Sequence, residues 1–315
     1  TPVVEACVKH GTHYSDITGE TPWVRDMIDQ HHAAAVESGT RIVPLCGFDS
    51  VPSDLGTWAL VQHVRDTLGQ PVRRVKAWHR LRGGLNGGTL ASALNLNASG
   101  EVRRLARPFL LSPGYEPTPE EKAESRDPRE VINDPHWGWC APFFMGAINT
   151  RVVRRSAWLL AAAGQGYGPS FTYQEYMGSG GGASRLKATR DAVFAGAALG
   201  LMSRPWGRSV VSAVGPKPGQ GPGQTMLDGG GFRTDLVAET AGGELVWGAV
   251  TGKGDPSNTI TVACLAESTL CLALDEAELP SGGGFLTPAV AFGQHLVDRL
   301  DGTCVTVRVG IERGA

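Results

Sequence analysis

Three short segments carry residue types suited to handling protons and anionic groups. In His13-Tyr14-Ser15-Asp16-Ile17-Thr18 a phenol and a carboxylate stand two residues apart, so in an extended strand Tyr14 and Asp16 point to the same side. Either can assist proton transfer. Thr18-Gly19-Glu20 follows as a turn. The second segment, Gly47-Phe48-Asp49-Ser50-Val51-Pro52-Ser53-Asp54, sets two carboxylates among serines ahead of an apolar helical run. Ser50 or Ser53 can cap that helix and Pro52 suits its first turn. Free N–H groups at such an end favour anions. A loop facing a cofactor and a plain helix cap are equal readings of this segment. The third, Gly83-Gly84-Leu85-Asn86-Gly87-Gly88-Thr89, enters a helix at Leu90 and is the most site-like glycine loop in the chain.

Other patterns carry less. Gly178-Ser179-Gly180-Gly181-Gly182-Ala183 formally matches GxGxxA, but the acidic residue expected roughly 20 positions on to hold a ribose is absent. Gly252-Lys253-Gly254 has the wrong spacing for a P-loop and no Ser or Thr after the lysine. Cys7, His10 and His13 sit at three-residue steps that cross from a helix through Gly11 into a strand, with no fourth ligand close in sequence. No metal is expected. His31 and His32 are adjacent on a helix and cannot share a face. There is no GxSxG elbow, so a hydrolase is disfavoured.

The elements that must position these residues can be read from periodicity. Residues 2–46 alternate helix, strand, helix, strand: a helix up to Gly11, a strand at 13–18, a helix over 23–38 and a strand at 41–46. Such alternation indicates α/β crossovers on a parallel sheet whose ligands sit at the strands' carboxyl ends. Further on come a helix from residue 55, a strand at 74–82, a polar proline-rich surface excursion at 112–138, a helical segment at 147–160 and a strand at 171–176. A glycine- and proline-rich loop spans 215–231, an antiparallel pair is expected at 232–239 and 245–251, a long apolar helix at 259–274, a helix at 288–300 and a last strand at 304–309. The apolar helix at 192–202 is too short to cross a bilayer. Its flanks, Arg185, Lys187, Arg190, Arg204, Trp206 and Arg208, suit either an interfacial anchor or the solvated ends of an ordinary buried helix. The net charge of −2 puts nucleic acid last among partners. Six dispersed cysteines without a CxxC pair, four of them in apolar segments, point to a reduced, cytoplasmic protein.

The segments Gly11-Thr12-His13-Tyr14-Ser15-Asp16-Ile17-Thr18-Gly19-Glu20, Cys46-Gly47-Phe48-Asp49-Ser50-Val51-Pro52-Ser53-Asp54-Leu55-Gly56 and the glycine loop 83–89 resemble the saccharopine dehydrogenase-like oxidoreductases. Within them the likeness is closest to the bacterial trans-acting enoyl reductases. Further echoes are Asn149-Thr150-Arg151-Val152-Val153-Arg154-Arg155-Ser156, Pro216-Lys217-Pro218-Gly219, Gly254-Asp255-Pro256 and Leu286-Thr287-Pro288-Ala289. The resemblance implies the C-terminal part of a doubly wound Rossmann domain (1–60), then an α+β substrate domain with a mostly antiparallel sheet (61–285), then a helix and strand packing back between them (286–315). The family opens with a strand and a G-A-T-G-F-x-G-type turn that holds the cofactor pyrophosphate; this sequence starts after that point, and roughly 100 family residues have no counterpart, about one small domain. The resemblance further implies NADP- or NAD-dependent reduction of an unsaturated lipid or polyketide intermediate. It sets Thr18, Gly19, Glu20, Gly47, Phe48, Asp49 and Ser50 at the cofactor and Gly83, Gly84, Gly87, Gly88 and Thr89 at the substrate. Apart from the resemblance, the basic and tryptophan flanks of the 192–202 helix give the expectation of peripheral contact with the inner membrane face near 185–208, and a homodimer is expected as a partner state. The rival reading is a non-catalytic lipid-binding or scaffold protein on the same fold.

Overall fold

The structure, a computed structural model, describes residues 1–178 and 184–313. Most of the GxGxxA match, residues 179–183, therefore lies outside the described residues. The chain opens with α1 (Pro2–His10), stopped by Gly11 at φ 66°, then β1 (Tyr14–Ser15), α2 (Thr21–Glu37), β2 (Arg41–Val43) and α3 (Val51–Leu68). The strand expected to reach residue 46 ends at Val43, because Leu45 is turned into the left-handed region at φ 64°, a costly conformation for a branched side chain. β3 (Val72–Arg82) follows, then α4 (Gly87–Ala98), α5 (Pro119–Glu124), β4 (Ile132–Asp134), β5 (Gly138–Pro142), α6 (Gly146–Ala162) and β6 (Thr172–Met177). The chain continues through α7 (Arg185–Met202), α8 (Pro205–Val214), α9 (Gln224–Gly229), β7 (Gly231–Thr240) and β8 (Leu245–Lys253). A π-turn at Pro256–Ile260 leads into α10 (Thr261–Leu274), and β9 (Gly284–Phe285), α11 (Pro288–Phe292), α12 (Gln294–Asp301) and β10 (Val305–Ile311) complete it.

Two sheets result. A short all-parallel sheet has the order β1-β2-β9, and a seven-stranded sheet runs β10-β8-β7-β3-β6-β5-β4. Among the described residues every neighbour pair in the larger sheet is antiparallel except β3 with β6. The α/β class with a mostly antiparallel second sheet therefore holds. The apolar side of α3 joins the two. Its Val51, Leu55, Leu60, Val61 and Val64 share one buried cluster with Val43 and Cys46 beside the parallel sheet and with Leu236, Val250 and Val305 of the larger one. A second cluster under α1 and α2 holds Val4, Val24, Ile28, Ile42, Val152 and Phe285.

Several expectations need correction. Residues 112–138 are not only a surface excursion: they contain α5, started by a reciprocal capping box between Thr118 and Glu121, and the edge strand β4, whose buried Asp134 accepts a hydrogen bond from Lys76 Nζ at 2.7 Å. The loop 215–231 contains α9. The single helix expected over 288–300 is broken into α11 and α12 at Gly293, held at φ 52° and ψ −133°. The helix at 192–202 begins earlier, at Arg185, and Ala188 is its one buried residue, so it is not an ordinary core helix. Four cysteines, Cys46, Cys140, Cys264 and Cys271, are buried and all six are free thiols.

Candidate functional site

Tyr14 and Asp16 do fall on one side, and they engage each other. The Tyr14 hydroxyl donates to Asp16 Oδ2 at 2.7 Å, while Asp16 Oδ1 accepts the N–H of Thr18 at 2.9 Å and of Leu45 at 3.3 Å. Asp16 thus ties the end of β1 to the strained turn after β2. Burial, reinforced by Asp16, pushes the Tyr14 phenol above its ordinary range, so it keeps its proton. In the next turn the Thr18 hydroxyl accepts the Glu20 N–H at 3.2 Å, and Gly19 faces Ile148 of α6. His13, one of the metal-spaced residues, is taken up by Glu276 at 2.9 Å and by the Arg41 N–H at 3.1 Å.

The loop 47–50 lies against that first turn. A β-carbon on Gly47 would sit 3.4 Å from Ile17 and 3.2 Å from Thr261. The Phe48 N–H donates to Thr261 Oγ1 at 3.2 Å, and its ring meets Phe232 of β7 edge-on at 5.0 Å. The third loop reaches the same place through residues 255–261. The Gly84 N–H donates to Asp255 Oδ2 at 2.6 Å, Asn86 Nδ2 donates to the Ser257 carbonyl at 2.8 Å, and Thr261 Oγ1 donates to the Pro256 carbonyl at 3.0 Å. The second and third segments therefore meet near the start of α10, where buried Asp255 holds the third, and the first reaches them through Ile17 against Gly47. Within the third loop, Asn86 caps α4 by accepting the Thr89 N–H at 2.7 Å, so Gly87, Gly88 and Thr89 form the first helical turn rather than a loop. Gly87 is glycine because the Lys217 carbonyl would lie 1.8 Å from a β-carbon there. Gly83 and Gly84 are similarly crowded by Asp255, Pro256 and Pro222.

The chemistry concentrates one turn further into α3. Glu175 on β6 is buried; its Oε1 accepts hydrogen bonds from Ser53 Oγ at 2.5 Å and the Tyr173 hydroxyl at 2.7 Å, and its Oε2 accepts one from Asn149 Nδ2 at 3.0 Å. His79 on β3 stands with Nε2 3.4 Å from Oε1, near enough for Coulomb attraction but too far and misaligned for a good hydrogen bond. Its ring stacks on Phe143 at 4.0 Å, and its Nδ1 is 2.9 Å from the Thr234 hydroxyl. Burial alone would raise the Glu175 carboxyl, but His79, Ser53 and Tyr173 outweigh it and hold Glu175 below the usual carboxylate range. Asp49, partly exposed on the loop, has the opposite bias: burial and then the Glu175 charge push it up to about 7. Asp54, one turn on, is lifted to about 6 by burial while Ser156 Oγ and the Ala289 N–H bind its oxygens. Asp49 and Glu175 are thus biased towards opposite protonation states. Ser50 Oγ, Asn149 Oδ1 and His79 Nε2 are buried polar atoms without a hydrogen-bond partner among the described residues.

Glu175, His79, Asn149, Ser53 and Asp255 were not singled out from sequence as site residues. The available signal was a glutamate at the same strand face as Tyr173, an inward position where a charge needs a reason. The Asn149–Ser156 motif divides its work. Asn149 faces Glu175 and Ser156 holds Asp54, whereas Arg151, Arg154 and Arg155 are buried and donate to the carbonyls of Leu105, Pro108, Tyr173, Leu111 and Phe285.

Comparison with known proteins agrees with the motifs. No protein-family model matches the chain. A Mycobacterium tuberculosis (strain H37Rv) protein provisionally named a trans-acting enoyl reductase is 38% identical over 98% of this chain and 76% of its own length. The trans-acting enoyl reductases of Mycobacterium bovis (BCG) and Mycobacterium ulcerans are each 34% identical over 97% of this chain and 76% of their own. Among solved structures, the apo saccharopine dehydrogenase (L-Glu forming) of Saccharomyces cerevisiae aligns with 98% of this chain and 81% of its own at 14% identity and a TM-score of 0.41. With relatives 34 to 38% identical along nearly its whole length, the chain belongs to the trans-acting enoyl reductase family.

Proposed function

We propose that this protein reduces the carbon–carbon double bond of an unsaturated lipid or polyketide intermediate with NADPH or NADH, Asp49 supplying the proton. The observation that carries this reading is the Asp49–Glu175 pair. Glu175 is held ionised and fully bonded, and Asp49, nearer the surface, keeps its proton up to about neutral pH. A general acid works best with a pKa near the working pH. The residues at the loop also fit a dinucleotide: Ser50 Oγ is a buried hydroxyl lacking a partner among the described residues, at the entrance of an 18-residue helix. Gly47, Phe48 and Ser50, with Thr18 to Glu20 beside them, would hold the cofactor. When bound, the reduced nicotinamide supplies the hydride. Asp49 gives its carboxyl proton to the substrate, and Glu175 favours the protonated form of Asp49 beforehand. The acyl chain lies along the groove between α4 and α8, about 760 Å³ in volume and lined by Leu90, Ala91, Leu94, Ala98, Ala213 and Pro216. That groove begins at Gly87, the one glycine of the third loop that lines it.

The test is NADPH and NADH fluorescence titration, followed by loss of reduced-cofactor absorbance with a crotonyl thioester as the probe. Asp49→Asn should lower kcat by about 10² to 10⁴-fold while leaving cofactor affinity unchanged. Full turnover by that variant overturns the proton role. If neither cofactor binds, the oxidoreductase reading fails for this chain and lipid binding without catalysis replaces it.

A further inference from the structure

The hairpin of α7 and α8 breaks the rule that an apolar helix is buried. Residues 192–202, Ala-Val-Phe-Ala-Gly-Ala-Ala-Leu-Gly-Leu-Met, contain no charged or hydrogen-bonding side chain, and a helix apolar on all sides belongs in a core or in lipid. It is not in the core: Val193 is 64% exposed, Phe194 78% and Leu199 51%. On α8, Trp206, Val210 and Val214 recur at four-residue steps as one exposed apolar stripe. The apolar run is about 16 Å long at 1.5 Å per residue, far short of the roughly 30 Å hydrocarbon layer.

We infer that the α7–α8 hairpin lies in the surface of an anionic bilayer, its apolar faces in the acyl boundary and its basic ends at the headgroups. Charge decides the occupant. From Ser184 to Lys217 there are six cations, Arg185, Lys187, Arg190, Arg204, Arg208 and Lys217, against the single anion Asp191, in a chain whose net charge is −2. A second copy of this acidic chain would bring a like set of cations onto the same patch, whereas an anionic headgroup layer neutralises them. Trp206 stands beside Arg204 and Arg208, the pairing of aromatic and basic residues found at the membrane–water boundary. The groove between α4 and α8 shares α8 with this face, so a chain leaving the bilayer would enter it directly. This deepens the lipid reading above, yet its test does not depend on turnover.

The full chain is floated with vesicles of phosphatidylcholine alone and with vesicles containing a quarter phosphatidylglycerol. Binding is expected to the second kind only, to weaken as salt is raised, and to fall at least tenfold in Phe194→Glu/Val210→Glu. Both side chains are exposed, so circular dichroism and Tm should stay as in the wild type, and cofactor binding should be unaffected. Three results overturn the inference: binding to neither vesicle, binding that the double variant retains, or a dimer in solution that the same variant splits, which would make a second copy the cover of this face. Absence of enone turnover with intact vesicle binding would instead count against the catalytic reading alone.

Discussion

Asp49 is the residue whose behaviour says most about the site, and its stability effect has a definite sign. Below its ordinary value of 3.8 the carboxyl is protonated in folded and unfolded chains alike. Between 3.8 and about 7 the folded chain keeps a proton that the unfolded chain releases, so Asp49 makes stability fall as pH rises through that window and level off above it. Asp49→Asn removes the effect. Its stability relative to wild type should be greater at pH 8 than at pH 4 by about 1 to 3 kcal/mol, the lower end reflecting a side chain partly open to water, measured by denaturant midpoints at the two pH values. An equal difference at both would mean Asp49 is not held protonated. Glu175→Gln tests the coupling: without the Glu175 charge, the pH above which turnover declines should move downwards, which a purely structural loss would not produce. Asp49 was legible from sequence because it lies in a short motif. Glu175 and His79 were not, because their partners are distant in sequence: Ser53 lies 122 residues from Glu175 and Thr234 lies 155 from His79.

At the scale of elements, the glycine loop shows how one pattern can be read correctly in place and wrongly in cause. Its position beside a helix start was evident, but three of its glycines exist because residues 217–222 and 255–256 pack against them, a long-range fact with no local mark. The Asn86 cap was a local mark and places the helix start three residues earlier than expected. Gly87→Ala should destabilise by about 2 to 4 kcal/mol, since a backbone carbonyl must move away. Gly88→Ala meets only the Asn86 side chain at 3.3 Å and should stay within about 1 kcal/mol of wild type, helped by its better helix propensity. Urea denaturation of the two variants separates packing from ligand contact; equal losses would refute the packing explanation. The arginines of α6 extend the point. Arg155 is 2% exposed and joins the Leu111 and Phe285 carbonyls, one from the chain after α4 and one from β9. Arg155→Met would leave both acceptors unpaired in the interior, at about 2 to 4 kcal/mol, and hydrogen exchange should rise at 105–111 and 284–286 together. The motif was visible as a string of residues; its role as a clamp on carbonyls required the fold.

For the molecule as a whole, the question is whether the parallel and mostly antiparallel sheets unfold as one. The domain limits expected from family resemblance fall at residue 60, inside α3, and at residue 285, the end of β9. The buried cluster that includes α3 continues without interruption from Val43 to Val305, and Arg155 and Asp54 fasten α6 and α3 to 285–289 through buried hydrogen bonds. Separate unfolding would expose the apolar side of α3 on one part and the facing side chains of Leu236 and Val250 on the other. At roughly 25 cal/mol per Å² of apolar surface, several large side chains opened together amount to many kcal/mol, comparable with the whole stability of an ordinary domain. Calorimetry should therefore show one endotherm, with calorimetric and van't Hoff enthalpies in agreement, and tryptophan fluorescence from Trp23 on α2 and Trp78 on β3 should change at the same temperature. Two resolved transitions would show that the limits at 60 and 285 are true folding boundaries, and that the α3 interface is weaker than its burial indicates. The α7–α8 hairpin stands apart from this argument, since so little of it is buried; replacing its exposed apolar residues by polar ones should leave the endotherm where it is.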